Sequence, residues 1–149
     1  MDDADLEKEI KLERQLCFAL YGAAHAFNRA YKPRLEPLGL TYPQYLVMMA
    51  LWEEDGQQVK ALGEKLGLDS GTLSPLLKRL EQAGYVERRR DTVDERQVFI
   101  TLTDPGRAMQ CHAAKIMRSI GEQTGCTMGE LGTLRDRLKQ LKAKLSPKE

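Results

Sequence analysis

Across residues 59–102 the apolar pattern changes period with almost no loop between the changes, and few folds tolerate that. Val59, Leu62 and Leu66 recur at spacings of three and four, the mark of a short amphipathic helix. Gly67-Leu68-Asp69 then reads as a turn, and Asp69 or Ser70 can cap a second helix. That helix places Leu73, Leu76, Leu77 and Leu80 on one side. Its other side carries Gly71, Thr72, Ser74, Pro75, Lys78, Arg79 and Gln82. Gly84 ends it. Residues 85–90 run out through Arg88-Arg89-Arg90, turn at residues 91–96, and return over 97–102 with Val98, Ile100 and Leu102 on one face. Two helices on a tight turn followed by a basic hairpin outline a winged helix-turn-helix. The expected class is mainly α with a small β-hairpin wing.

The polar side of the second helix suits a DNA major groove. Ser70, Thr72, Ser74 and Pro75 are small, so they allow close approach, and the hydroxyls can meet bases or phosphates. Lys78 and Arg79 can neutralise backbone charge. Arg88, Arg89, Arg90 and Arg96 on the hairpin suit a minor groove, where negative potential is strongest when the groove is narrow. Asp91, Asp94 and Glu95 moderate the local field and are expected to shape the hairpin rather than touch DNA. A winged helix that docks on protein and never meets DNA is the competing reading.

The 149 residues suggest one domain, 1–149. A net charge of +1 does not by itself announce nucleic acid, but it hides an asymmetry. Residues 1–13 are rich in acids, whereas cations gather on the second helix, the hairpin and the C-terminal segment. No apolar run approaches the roughly 18 residues of a membrane span. The acidic N-terminal segment is unlike a signal peptide, so no membrane partner and a cytoplasmic setting are expected. Three cysteines without a CxxC pair, and only His25 and His112 as histidines, speak against a zinc site; no metal or other cofactor is expected. The two histidines read as surface or satisfied side chains. In a reducing compartment the cysteines are expected as thiols.

Helices are expected on both sides of this unit. Residues 12–31 contain no proline and hold Leu16, Leu20, Ala24 and Phe27 at helical spacing; Pro33 and Pro37 should break that helix. Thr41 with Gln44 forms a capping box, and Pro43 sits in the first turn of a helix burying Tyr45, Met48, Met49 and Trp52. After the hairpin, Thr103 caps a helix with Pro105 in its first turn, expected to reach about Gly121. Thr127 and Glu130 make a second capping box, and Leu131, Leu134, Leu138, Leu141 and Leu145 follow at 3-4-3-4 spacing. Such a stripe needs an apolar partner, either the chain's own first helix or a second chain. A homodimer with dimerisation helices at about 10–35 and 104–146 would set two DNA-binding regions, about 41–102 each, one duplex turn (roughly 34 Å) apart. Double-stranded DNA with a (pseudo)palindromic site is the matching partner. Residues 1–10 and 147–149 are expected to fray.

These segments resemble a known family. Asp94-Glu95-Arg96, followed by Val98, Ile100, Leu102, Thr103 and Gly106, is similar to the wing signature of MarR regulators: D-x-R, alternating apolars, then L-T-x-x-G. Leu16-Cys17-Phe18-Ala19-Leu20-Tyr21, Leu40-Thr41-Tyr42-Pro43-Gln44-Tyr45 and Asp69-Ser70-Gly71-Thr72-Leu73-Ser74-Pro75 resemble the OhrR branch, which senses organic hydroperoxides through one cysteine. The resemblance implies a homodimeric repressor, not an enzyme, with Arg96 at the minor groove and Asp94 shaping the wing. It implies Cys17 as the redox sensor, with Tyr31 and Tyr42 of the partner chain donating to its sulfur. It also implies Cys126, in the Gly-rich joint before the last helix, as the thiol that traps oxidised Cys17; a low-molecular-weight thiol is the alternative. Cys111, inside a helix, is expected to pack.

The chemistry fits that implication. A thiolate attacks the O–O bond of a hydroperoxide, and hydrogen bonds to the charged form favour it. The apolar neighbours Leu16, Phe18 and Leu20 suit an organic peroxide. Oxidation would remove the sulfur's acceptor role and reorient the two reading heads, which releases DNA. Two other readings remain open at this point: a MarR-type repressor released by a small aromatic ligand with Cys17 inert, and a thiol peroxidase.

Overall fold

The computed structural model describes residues 1–147; Lys148 and Glu149 lie outside the described residues. The chain forms two compact units, residues 1–110 and the segment from Cys111 onward. In the first unit helices α1 (Asp3–Lys8), α2 (Leu16–Leu35) and α3 (Tyr42–Glu53) precede a short strand β1 (Gln57–Gln58). Helices α4 (Val59–Leu66) and α5 (Ser70–Gln82), strands β2 (Val86–Arg90) and β3 (Val98–Leu102), and helix α6 (Asp104–Ala108) follow. Helix α7 (Gln110–Thr124) opens at the end of this unit, and α8 (Met128–Leu145) belongs to the second. No helix among the described residues is long and apolar enough to cross a membrane.

Helix α5 ends as its sequence demands. Gly84 takes φ +83°, the Tyr85 amide donates to Leu80 O at 3.0 Å, and the Gly84 amide donates to Glu81 O at 3.0 Å. This paired closure satisfies two terminal carbonyls and turns the chain directly into β2. Leu73, Leu77 and Leu80 of α5 are buried with Leu62 of α4, Val47, Met48 and Leu51 of α3, Leu35 of α2, Val86 and Ile100. Each such side chain contributes about 1.5–3 kcal/mol by leaving water. The core therefore sits beneath α4 and α5 and fixes them against the hairpin.

Five expectations need correction. Pro33 does not stop α2, which continues to Leu35. Leu35 is buried, its carbonyl accepts from the Leu40 amide at 3.2 Å, and these ties hold the last turn helical despite the missing N–H. The sheet has three strands, ordered β1-β3-β2, because Gln57 and Gln58 pair with Ile100 and Phe99. Buried Gln57 donates its side-chain amide to Ala50 O at 2.9 Å and Glu54 O at 2.7 Å, closing α3 and setting the strand in place. Met49 is exposed; its place in the buried side of α3 is taken by Val47, Ala50 and Leu51. The helix capped by Thr103 ends at Ala108, and α7 starts anew at Gln110 and runs past Gly121 to Thr124. Residues 3–8 are helical rather than frayed, with Asp2 accepting from the Asp5 amide at 2.9 Å.

In the second unit, Ala113, Ile116 and Ile120 are the buried side of α7. The Thr127–Glu130 capping box starts α8 as expected. Along α8, Leu134 and Leu145 are 55% and 77% exposed, so the leucine stripe lies open along a single chain.

Candidate nucleic-acid interface and thiol site

Helix α5 begins where its cap dictates. Asp69 accepts from the Thr72 amide at 2.7 Å, and this backbone hydrogen bond holds its carboxyl below the usual carboxylate range. Pro75 lies inside the helix, which continues to Gln82 although the Gly71 carbonyl loses its usual partner there. Ser70, Thr72, Ser74, Pro75, Lys78 and Arg79 are all exposed. A groove of about 730 Å³ separates this face and α4 from the wing, with Lys60, Ser70, Ser74, Arg88, Arg96 and Gln97 in its walls. Lys60 and Gln97 escaped the sequence reading. Lys60 stands in the first turn of α4, and a cation flanking the start of a reading helix is the signal that could have found it.

The three consecutive arginines do not act as one cluster. Arg88 and Arg90 stand opposite Ile100 and Val98, whereas Arg89 stands opposite Phe99. Cross-strand partners share a face, so Arg89 points to the other side of the ribbon. Arg88 turns back to α5: its guanidinium donates to Ser74 O at 3.3 Å, and its Nε lies 3.9 Å from Glu81 Oε1. Arg90 donates to Glu95 O at 3.4 Å, and Arg89 lies 3.9 Å from Glu87. Asp94 Oδ1 accepts from the Arg96 amide at 3.1 Å and from Arg96 Nε at 3.2 Å. Arg96 stays 92% exposed while its stem is steered by that carboxylate.

The thiol lies elsewhere. Because a 3-10 turn (Leu12–Arg14) and Gln15 precede α2, Cys17 sits in the first turn of the helix. No side chain caps that end, and no acid stands in the first turn. The unpaired amides there favour negative charge. Arg14 is turned away and pairs with Glu9 at 2.7 Å. Cys17 is exposed, beside Leu16 and Phe18, which are 63% and 43% exposed. Cys126 is exposed in the turn between α7 and α8, after Gly125 at φ +69°, with its Sγ 3.6 Å from Thr124 O. Cys111 is exposed near the start of α7, not packed away as expected. No disulfide links the described residues.

Tyr31 and Tyr42 do meet. Their ring centroids lie 4.8 Å apart, and Tyr45 adds a third ring 5.7 Å from Tyr31. Burial, then the neighbouring phenols of Tyr42 and Tyr45, push the Tyr31 phenol up to about 12, and burial raises Tyr42 as well. Both therefore remain O–H donors throughout the physiological range. Since folding favours the neutral phenol, its stabilising contribution is complete below pH 10 and is lost as pH rises toward 12. An ultraviolet titration should show one phenol ionising near 12 while the fold persists, with the urea midpoint falling as pH rises above 10; a normal titration of all five tyrosines with the fold intact would contradict this. The pair stands far from the thiol of its own chain: Tyr31 follows Cys17 by 14 residues on one helix, about 21 Å along the axis.

Comparison with known proteins places the chain. A family model described as transcriptional regulator SarA/Rot matches residues 29–111. The HTH-type transcriptional regulator TtmR of Methylorubrum extorquens is 53% identical over 134 residues, 90% of this chain and 69% of that protein. The organic hydroperoxide resistance transcriptional regulator of Bacillus subtilis is 45% identical over 136 residues, covering 91% and 88%. Among solved structures, reduced AbfR bound to DNA superposes with a TM-score of 0.78 at 37% identity over 96% of this chain and 99% of that one. The disulfide form of AbfR superposes with a TM-score of 0.67 at 38% identity, over 94% and 98%. Both the family match and the identities over nine-tenths of the sequence lead to one conclusion: this chain belongs to the SarA/Rot type of MarR-family winged-helix transcriptional regulators, in the branch of the organic hydroperoxide resistance regulator.

Proposed function

We propose that the protein is a homodimeric repressor that holds a (pseudo)palindromic DNA site until an organic hydroperoxide oxidises Cys17. The observation that carries this reading is the separation within one chain: a thiol in the first turn of α2 among exposed apolar side chains, and a protonated phenol pair one helix length away. Two such chains running antiparallel along α2 bring each sulfur to the other chain's Tyr31 and Tyr42. The exposed apolar residues of α2 and α8 supply the surface such a dimer needs to bury. The B. subtilis relative's name and the reduced, DNA-bound and disulfide states named for AbfR agree with it.

The thiolate of Cys17 attacks the distal oxygen of the hydroperoxide. The O–O bond breaks, the sulfur becomes a sulfenic acid, and the organic alkoxide leaves as the alcohol after taking a proton. A second thiol, from Cys126 or a small thiol, then displaces hydroxide, which leaves as water, and a disulfide forms. Either product strips the sulfur of its charge and of its hold on the two phenols. The DNA face lies on a rigid two-helix reader, so a few ångströms of change between two readers loses the half-site register. In this reading α5 presents Ser70, Thr72, Ser74, Lys78 and Arg79 to the major groove, and the wing presents Arg96.

The test is a DNA-binding titration with and without cumene hydroperoxide, with mass spectrometry on the same samples. Wild type should release DNA and carry an oxidised Cys17. Cys17→Ser should bind DNA equally and stay bound. Release of the serine variant at the wild-type peroxide dose would defeat the proposal.

A further inference from the structure

At the tip of the wing, Val93 is 93% exposed, among the most exposed apolar side chains of the protein. It is not there to fill a core. It is also not on a loose loop. Asp91 Oδ1 accepts from the Val93 amide at 3.1 Å, and the Asp91 amide donates to Gln97 O at 2.9 Å. The Gln97 amide donates to Asp94 O at 3.0 Å, and Asp94 Oδ1 holds the Arg96 amide. Two aspartates thus spend a carboxylate oxygen each on the tip's own backbone, and what projects outward is one branched apolar side chain in the same turn as Arg96.

We infer that Val93 makes the wing tip a shape-sensitive reader of the DNA minor groove that favours A·T over G·C pairs. The inference rests on the DNA-binding reading above. In the minor groove A·T pairs present only acceptors, whereas G·C adds the guanine N2 amine, which projects from the floor. An isopropyl group cannot accept a hydrogen bond from that amine, so pressing against it strands a donor and costs affinity. A·T pairs also narrow the groove and deepen its negative potential, which favours Arg96 at the same place. Asp91, Asp94 and Glu95 moderate the positive field of the tip, so the part of the discrimination carried by Val93 comes from fit rather than charge. Val93 forms no part of the core, and its replacement leaves the fold intact.

The test selects duplexes from a pool with a randomised central region, using the full chain as wild type and as Val93→Ser. Wild type should enrich paired half-sites together with A·T pairs at symmetric flanks, preferred about tenfold over G·C. Val93→Ser should enrich the same half-sites with the flank preference reduced to about twofold or less. On the selected duplex, wild-type affinity should fall about tenfold when a flanking A·T pair becomes G·C and return when inosine, which lacks the N2 amine, replaces that guanine. A serine variant with unchanged flank preference, or no rescue by inosine, overturns the inference while the half-sites stand. Absence of any enriched half-site overturns the DNA-binding reading itself.

Discussion

Two defective chains, mixed, should restore rapid peroxide sensing. One carries Cys17→Ser and has no sulfur to oxidise. The other carries Tyr31→Phe with Tyr42→Phe and has a sulfur without its donors. Each hydrogen bond to a charged acceptor contributes about 1.5–3 kcal/mol, so losing both phenols should slow oxidation of Cys17 at least ~10-fold. In the proposed dimer, the serine chain of a mixed pair would still supply both phenols to the intact sulfur of the other chain. One of the two composite sites is then complete. The reason is geometric: about 21 Å of helix separates Cys17 from Tyr31 within a chain, and no side chain spans that. Co-expressed, differently tagged chains should therefore oxidise at close to the wild-type rate per complete site, read by trapping the sulfenic acid. A mixed sample that oxidises only at the slow rate of the phenylalanine chain would mean that thiol and phenols are not shared. DNA affinity of each reduced variant is titrated beside the oxidation rate, because loss of the sulfur–phenol hold should itself weaken DNA binding by the phenylalanine chain, whereas the serine hydroxyl of Cys17→Ser can still accept from the phenols.

What could be read beforehand was whatever rests on local rules. The caps at Asp69, Thr41, Thr103 and Thr127, the glycine at 84, and the alternation of Val98, Ile100 and Leu102 all depend on neighbours within a few residues, and the structure carries each. The misses come from longer range. Gln57-Gln58 has neither the length nor the side chains of a strand; it pairs because β3 lies alongside and the Gln57 amide closes α3 from a buried position. Pro33 is tolerated because Leu35 is pulled into the core behind it. The wing arginines read as one patch because sequence does not reveal that register sends Arg89 to one face and ties Arg88 to α5. The same holds for the thiol. The proposal that Cys17 carries chemistry rests on resemblance, but that it occupies the first, uncapped turn of α2 follows from where the preceding 3-10 turn stops. The distance between Cys17 and Tyr31 within one chain follows from the uninterrupted helix.

The fold has one position where a single methyl group should be decisive. A Cβ at Gly106 would fall inside contact distance of the Tyr85 carbonyl oxygen, with Leu102 Cδ2 3.4 Å away. Neither side can give way easily. The Gly106 carbonyl accepts from Trp52 Nε1 at 2.8 Å, and its amide donates to Thr103 Oγ1 at 3.2 Å. On the other side, the Tyr85 carbonyl accepts from the Thr103 amide at 3.1 Å, and the Tyr85 hydroxyl donates to Leu38 O at 2.7 Å. Five residues from α3, the α2–α3 joint, the root of the wing and α6 are therefore tied together around a spot with no room for a side chain. Gly106→Ala should cost about 3 kcal/mol or more, beyond the usual overpacking range, because the obstruction is backbone held by hydrogen bonds. Urea unfolding should show a lower midpoint with unchanged slope. Gly71→Ala is the matching control. Its new Cβ would meet only Asp69 Oδ1 at 3.5 Å, an ordinary contact, in the exposed first turn of α5. There alanine should stabilise by about 0.5–1 kcal/mol, since it restricts the unfolded chain and suits a helix better than glycine. Opposite signs for one added methyl at two glycines would tie the loss to the Tyr85 carbonyl. Two changes of the same sign would mean that the close approach of α6 to the Tyr85 carbonyl does not set the cost of a side chain at Gly106.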